Sequence, residues 1–195
     1  MFLARRPSLL AVDRFTARSQ ELSLSYSPIG LAQAQAPGFI VDETMIVLGR
    51  GSADFDRAKA ALIAWKPFDL GWVQLFPPRA PLAPGTVVTV LVHHLGFWSL
   101  NGCRIVYGLG DRDRGTRFGF AYGTLSNHAE SGEELFEVSL EPDSGNVIYR
   151  VRAVSKPRAP LARLGYPLTR ALQARFRQES AAAMKRTTSA SGSLP

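Results

Sequence analysis

The sequence contains a single cysteine, Cys103, among 195 residues. An intramolecular disulfide is excluded and so is a cysteine-based metal cluster; the scarcity fits a reducing compartment. No apolar run approaches the roughly 20 residues that a membrane-spanning helix needs. The opening MFLARRPSLLAV is broken by Arg5, Arg6 and Pro7, which makes a poor signal peptide, so a cytoplasmic location is expected. Histidine is also scarce. His93 and His94 are neighbours on a strand-like run and point to opposite faces, so they cannot share one metal. His128 stands without a cysteine or histidine at ligand spacing. GRGSADF is too short for a phosphate loop or dinucleotide fingerprint, and no serine lies in a nucleophile elbow. Neither a metal nor a cofactor is expected. There is no internal repeat.

What is present suits one globular domain. The apolar fraction is 46% and the charged fraction 20%, both ordinary for a chain with a full core. The net charge of +7 is unevenly placed: residues 1–150 hold 14 basic and 15 acidic side chains, whereas residues 151–195 hold nine basic and one acidic, Glu179. Basic residues spaced along a helix mark a solvated face. The sharper alternative is attraction to anionic lipid, nucleic acid or an acidic partner.

Hydrophobic periodicity places the elements. SLLAVDRFTARSQ is a short helix behind a Ser8 cap, followed by a loop-like arm, SYSPIGLAQAQAPGF. TMIVLGR (Thr44–Arg50) is a strand. Gly51 ends it and Ser52 caps a helix with Asp54 and Asp56 in its first turn and Phe55, Ala58, Leu62 and Trp65 on one face, closed by Pro67. GWVQLF is a short strand, and PPRAPLAPG must be surface loop. TVVTVLVHHLGF is a long strand, WSLNG a turn, CRIVYGL a returning strand and GDRDRG another turn. TRFGFAYGTL and EELFEVSLE flank the turn SNHAESG, and PDSG closes a hairpin with NVIYRVRAVS. APLARLG reads as a turn of helix. Pro167 fits the first position of a long helix, PLTRALQARFRQESAAAMKR, ahead of a disordered TTSASGSLP. Serial hairpins imply an antiparallel sheet whose apolar face needs a cover, and the long helix is the natural one.

Strand alternation then assigns faces. Phe118, Phe120, Tyr122 and Thr124 share one side of their strand, which must be buried; Gly119, Ala121, Gly123 and Leu125 share the other, which can admit the N-terminal arm or another backbone. The PDSG turn predicts that Glu137 faces Arg150, Val138 faces Tyr149, Phe136 faces Val151 and Glu134 faces Ala153. Phe136, Val138, Leu140, Val147, Tyr149 and Val151 are then core. Glu133, Glu137, Arg150 and Arg152 form a surface charge ladder of pairs contributing about 0.2–1 kcal/mol each. By parity Glu134 sits at the upper edge of the core face, where an ionised carboxylate is costly unless paired or wet. Either pairing has frayed there, or the carboxyl bonds the adjacent turn, or it is a polar group at the end of an apolar cavity. On the long helix, Leu168, Ala171, Leu172, Phe176 and Ala183 share a stripe with Arg175 and Glu179. That pair is either a helix salt bridge or a polar anchor in which Arg175 holds a ligand carboxylate.

FGFAYGTLSNHAESGEELFEV and YRVRAVSKPRAPLARLGYPLTRALQARF, with the earlier RRPS, SYSPIG, LGRGSADFDRAKAALIAWKPFDLGW and CRIVYG, resemble the domain-of-unknown-function 1990 family (uncharacterised protein family 0548) over nearly the whole chain. The glycines, His128, Glu133–Glu134 and Gly165-Tyr166-Pro167 recur in the family's order; SKP departs from it. The resemblance implies an α+β helix-grip fold of the START/Bet v 1-like (SRPBCC) kind, a curved antiparallel sheet around a long C-terminal helix, and no specific activity. The expected organisation is an N-terminal arm at 1–40, a helix-grip domain at 41–187 and a disordered tail at 188–195. The expected function is binding of a small hydrophobic ligand between sheet and helix. Its walls would be Trp65, Trp72, Tyr107, Phe118, Phe120, Tyr122, Phe136, Tyr149 and Phe176, with His128 and Glu134 as polar groups. A second reading is a cyclase, hydrolase or dehydratase with Glu134 or His128 as general base and a tyrosine such as Tyr122 polarising a carbonyl. A third is an adaptor docking through its basic helix on anionic membrane or an acidic partner. Nucleic acid is not an expected partner.

Overall fold

The computed structural model describes residues 2–110, 115–157 and 166–189. A two-residue strand, β1 (Phe2–Leu3), precedes α1 (Leu9–Ser19), which begins where the Ser8 hydroxyl accepts a hydrogen bond from the Ala11 amide. The arm leads to β2 (Ile40–Arg50). This strand starts at Ile40 rather than Thr44 because Asp42 and Glu43, which interrupt the apolar run, are each paired with arginines of neighbouring elements. In α2 (Gly51–Ile63), Ser52 lies inside the first turn and is not the cap. Asp54 takes that role, its carboxylate accepting the Arg50 N–H at 2.6 Å. The helix buries Phe55, Ala58 and Leu62, and Trp65 just beyond it.

The strands β3 (Val73–Phe76), β4 (Val87–His94), β5 (Phe97–Leu109), β6 (Arg117–Thr124), β7 (Glu130–Leu140) and β8 (Asn146–Pro157) follow. WSLN is strand, not turn. The β4–β5 hairpin turns instead at Leu95 and Gly96, whose φ angles of 48° and 78° give the left-handed pair that a two-residue hairpin needs. β7 likewise claims Glu130–Gly132 from the expected turn, pairing them with Pro157, Lys156 and Ser155. The last hairpin has the predicted register: Glu137 opposite Arg150, Phe136 opposite Val151, Glu134 opposite Ala153. The long helix α3 (Tyr166–Ser189) continues past Arg186, with the Thr187 and Thr188 hydroxyls donating to the carbonyls of Ala183 and Met184. Thr188 and Ser189 are thus helical; residues 190–195 of the expected tail, residues 111–114 of GDRDRG and the APLARLG turn at 159–165 lie outside the described residues.

The strands form one antiparallel sheet in the order β2-β8-β7-β6-β5-β4-β3, with β1 joined to the start of β5. Its curved inner face packs on α2 and the second half of α3. There Phe120, Phe136, Val138, Tyr149 and Val151 are fully buried with Leu62 and Met184. The outer face is covered too. Val12 of α1 packs on Leu91 and Leu100, and the arm lays Leu31, Ala32 and Ala36 on Ala121, Leu135 and Val154. Small residues on the outer side of β6 permit that approach: a Cβ at Gly123 would lie 2.3 Å from the Tyr26 hydroxyl.

The covered outer face overturns part of the charge ladder. Glu137 is only 5% exposed and takes Arg117 at 2.6 Å with Arg150 at 3.7 Å. Glu133 pairs with none of the arginines named for it. It is 2% exposed and accepts four hydrogen bonds, from the Tyr26 hydroxyl (2.7 Å), the Tyr107 hydroxyl (2.6 Å) and the Gly30 and Ala32 amides (2.9 and 3.0 Å). Burial, aided by that carboxylate, pushes both tyrosine hydroxyls well above their usual range. Glu133→Gln would set an amide N–H₂ against these donors. It is expected to destabilise the protein by roughly 2–4 kcal/mol in urea unfolding and to speed hydrogen exchange at the Gly30 and Ala32 amides. An unchanged midpoint would refute this account of the arm.

Candidate functional site

Residue size grades along the inner face. One cross-strand row sets Phe120 against Phe136 and Val151; the next sets Tyr122 against Glu134, Ala153 and Asp42; beyond it Gly132 meets Ser155. At the first row the rings of Trp65, Phe68, Phe120 and Phe136 pack with centroids 4.8–5.3 Å apart. Towards the other end the side chains shrink, and α3 bridges the sheet without filling the space. The result is a cavity of about 530 Å³. Leu168, Leu172 and Phe176 of α3 roof it, Trp72 and Phe68 close one side, and Ser99, Asn101, Thr124, Ala153 and Ser155 form the floor. Its rim includes Phe2, Leu95, Phe97 and Leu168, which are large apolar residues left exposed, Leu95 to 70%.

Of the nine wall residues read from the sequence, Trp72, Tyr122 and Phe176 line the cavity. Trp65, Phe118, Phe120, Phe136 and Tyr149 belong to the packed core beyond it. Tyr107 is on the opposite face with Glu133, because a register shift between Ile105 and Tyr107 reverses the alternation of β5. Arg175 does not line the cavity. It is an exposed helix salt bridge to Glu179 at 2.7 Å, stacked over Trp72, whose indole N–H donates to the same carboxylate at 2.6 Å. Of the expected stripe Leu168, Leu172 and Phe176 line the cavity and Ala183 is buried, whereas Ala171 is exposed; the inner side of α3 also carries Arg177, Ser180, Ala181, Met184 and Thr188.

Glu134 and His128 both line the cavity. Strand pairing is intact at Glu134 and extends to Glu130, which removes the frayed-strand explanation. The Glu134 carboxyl accepts the Tyr122 hydroxyl at 2.5 Å. Burial pushes it up to about 7, against the opposing pull of the Tyr122 hydrogen bond and the Arg177 charge. His128 is driven down to about 4 by burial, and its Nδ1 accepts the Glu130 amide at 2.9 Å. The ring is therefore neutral with its proton on Nε2, a hydrogen-bond donor and not a base.

Sequence reasoning missed Arg177, Glu130, Gln173 and His94, all on the cavity wall. Arg177 is 8% exposed and donates from Nη2 to Asp42 at 3.1 Å. Asp42 is also held by Arg170 through both its oxygens, and that hydrogen bonding lowers its pKa. Gln173 donates to Ser155 (3.2 Å) and Glu130 (3.4 Å). An amphipathic-helix criterion passes over such residues because they are polar on the buried side. Among the described residues no cluster of His, Cys, Asp and Glu could hold a metal ion, and no helix is long and apolar enough to cross a membrane.

A curved antiparallel sheet gripping a long C-terminal helix, with a cavity between, is an α+β helix-grip fold. A solved structure from Thermus thermophilus, the protein TTHA0849, superposes with a TM-score of 0.54 over 79% of this chain and 100% of that one; at 13% identity the likeness speaks for fold alone. The chain belongs to the DUF1990 family, a domain of unknown function, whose family model matches residues 25–183. A UPF0548 protein of Dictyostelium discoideum is 37% identical over 195 residues, covering 90% of each chain. One of Arabidopsis thaliana is 31% identical over 159 residues, covering 79% of this chain and 76% of that one.

The raised Glu134 has a thermodynamic consequence. Its folded pKa lies above the unfolded value, so the folded state holds the extra proton between about pH 4.5 and 7 and loses stability as pH rises through that window. Glu134→Gln removes this dependence. In urea titrations the variant should gain on the wild type from pH 4.5 to 8; a constant difference would mean that the carboxyl titrates normally.

Proposed function

We infer that the protein binds a small, largely apolar molecule in the cavity between the sheet and the first half of α3. The observation that carries this reading is the cavity itself, about 530 Å³ beside a fully packed core. Its volume falls within the range of small-molecule sites. Its composition also suits that use, with apolar roof and rim and a few polar groups at one end. An apolar rim exposed to water is costly unless something apolar passes or rests there.

Catalysis on the bound molecule is the second reading, and Glu134 favours it. A carboxyl near 7 on the wall of a largely apolar cavity is matched to proton transfer at neutral pH. In that case Glu134 is the base and the His128 Nε2–H the donor, which divides between them the role that sequence gave to either. For the adaptor reading, Arg170 and Arg177 of α3 turn inward to Asp42 and Arg175 pairs with Glu179, which leaves Lys185 and Arg186 as exposed basic residues of that helix.

Freshly purified protein examined by native mass spectrometry should carry a co-purified apolar molecule, and delipidated protein should bind the neutral fluorophore N-phenyl-1-naphthylamine. Leu172→Trp, which fills the cavity from its roof, should weaken that binding at least ten-fold while leaving the unfolding midpoint nearly unchanged. Undiminished binding in the filled variant would locate the fluorophore elsewhere and overturn the proposal.

A further inference from the structure

The polar end of the cavity holds a guanidinium with unused donors. Asp42, Ala153, Glu134 and Tyr122 form one row across β2, β8, β7 and β6. Arg177 reaches that row from α3, bonded to Asp42 and acting electrostatically on Glu134. Two guanidiniums share the single Asp42 carboxylate, and Arg170 engages both of its oxygens. Arg177 is left with one hydrogen bond at 3.1 Å, while its Nε and Nη1 are buried without an acceptor. Two other cavity-wall residues also have orphaned polar atoms, His94 Nδ1 and Glu130 Oε1. Buried donors without partners cost free energy, and those of a guanidinium most. The acceptor that suits a planar cation whose Nε and Nη1 both lack a partner is an oxyanion.

The geometry points to Arg177 as the anchor for the anionic head, a carboxylate or similar oxyanion, of an otherwise apolar ligand. This rests on the cavity being a binding site and names the class of molecule it takes. The apolar body lies between Leu168, Leu172, Phe176 and Trp72, and the head sits over Ala153, whose short side chain leaves room. The His128 Nε2–H on the same wall is a further donor. The groups that face Arg177 or share its end of the cavity are Asp42 of β2, Glu130 and Glu134 of β7, Tyr122 of β6, His128 of the β6–β7 turn and Arg170 of α3. Asp42 is held ionised by its arginines, and burial raises Glu130 and Glu134. Glu134 protonated can share the head; ionised, it repels the head and competes for Arg177.

The test uses two probes that differ only by a charge, 8-anilino-1-naphthalenesulfonate and N-phenyl-1-naphthylamine, titrated by fluorescence into the full chain. The wild type should bind both. Arg177→Met should lose about ten-fold or more for the sulfonate and little for the neutral probe, with Arg177→Lys in between. The sulfonate is ionised throughout, so its affinity should fall as pH rises past 7, and Glu134→Gln should abolish that fall; this arm needs no change at Arg177 and stands even if its variants fold poorly. Equal effects on both probes, or a flat pH profile in the wild type, would overturn the anion anchor while leaving the cavity intact. Failure of the neutral probe to bind the wild type would instead remove the cavity reading on which the anchor depends.

Discussion

Consecutive carboxylates on a strand must point to opposite faces of its sheet, and here both faces are covered. Glu133 and Glu134 therefore cannot escape to water in the ordinary way, and the protein treats them differently. Glu133 is saturated, with two tyrosine hydroxyls and two backbone amides closing on it, and becomes the fastener of the N-terminal arm. Glu134 has the Tyr122 hydroxyl and the more distant charge of Arg177, too little to hold it fully ionised at neutral pH. A carboxylate with four good donors contributes to stability; one with a single donor in an apolar hollow is a reactive or recognising group. The same alternation that builds the sheet thus separates a structural acid from a candidate functional one.

The cavity arises from a gradient of side-chain volume, not from a missing element. A row of Phe and Val gives way within four residues to Gly, Ser and Thr, while α3 spans both. Where the floor is tall the helix meets it, and Ser180 can bond the Tyr149 hydroxyl at 2.8 Å. Where the floor is low the helix spans a gap. A void this size forfeits packing on every wall atom, which is tolerable for a protein when occupancy restores the contacts.

Much of this was legible in the sequence, and the failures share a cause. Alternation in Arg117–Leu125 and the PDSG turn suffice for the inner face and for the register of β7 with β8, because period-2 patterning with a tight turn leaves little freedom. The split of the Glu133–Glu134 pair followed from parity alone. What misled was polarity on buried surfaces. Glu133 looked like surface ladder because the arm that covers it has no periodic signature. The inner side of α3 was read only in part: Leu168, Leu172, Phe176 and Ala183 lie on it as expected, but so do Gln173, Arg177, Ser180 and Thr188, which blunt the amphipathic stripe. Tyr107 was assigned to the wrong face because a shift of register inside β5 has no mark in the sequence, and the β4–β5 turn was missed because Leu95 is an unusual occupant of a left-handed position.

Those misplaced polar residues also explain how the helix holds its line over the gap. Asp42 belongs to β2, at the edge of the sheet, and through Arg170 and Arg177 it ties the first half of α3 to that edge. Of the residues that blunt the stripe of α3 in the sequence, Arg177 is thus also a tie to that edge, and it lines the cavity with its Nε and Nη1 unpaired.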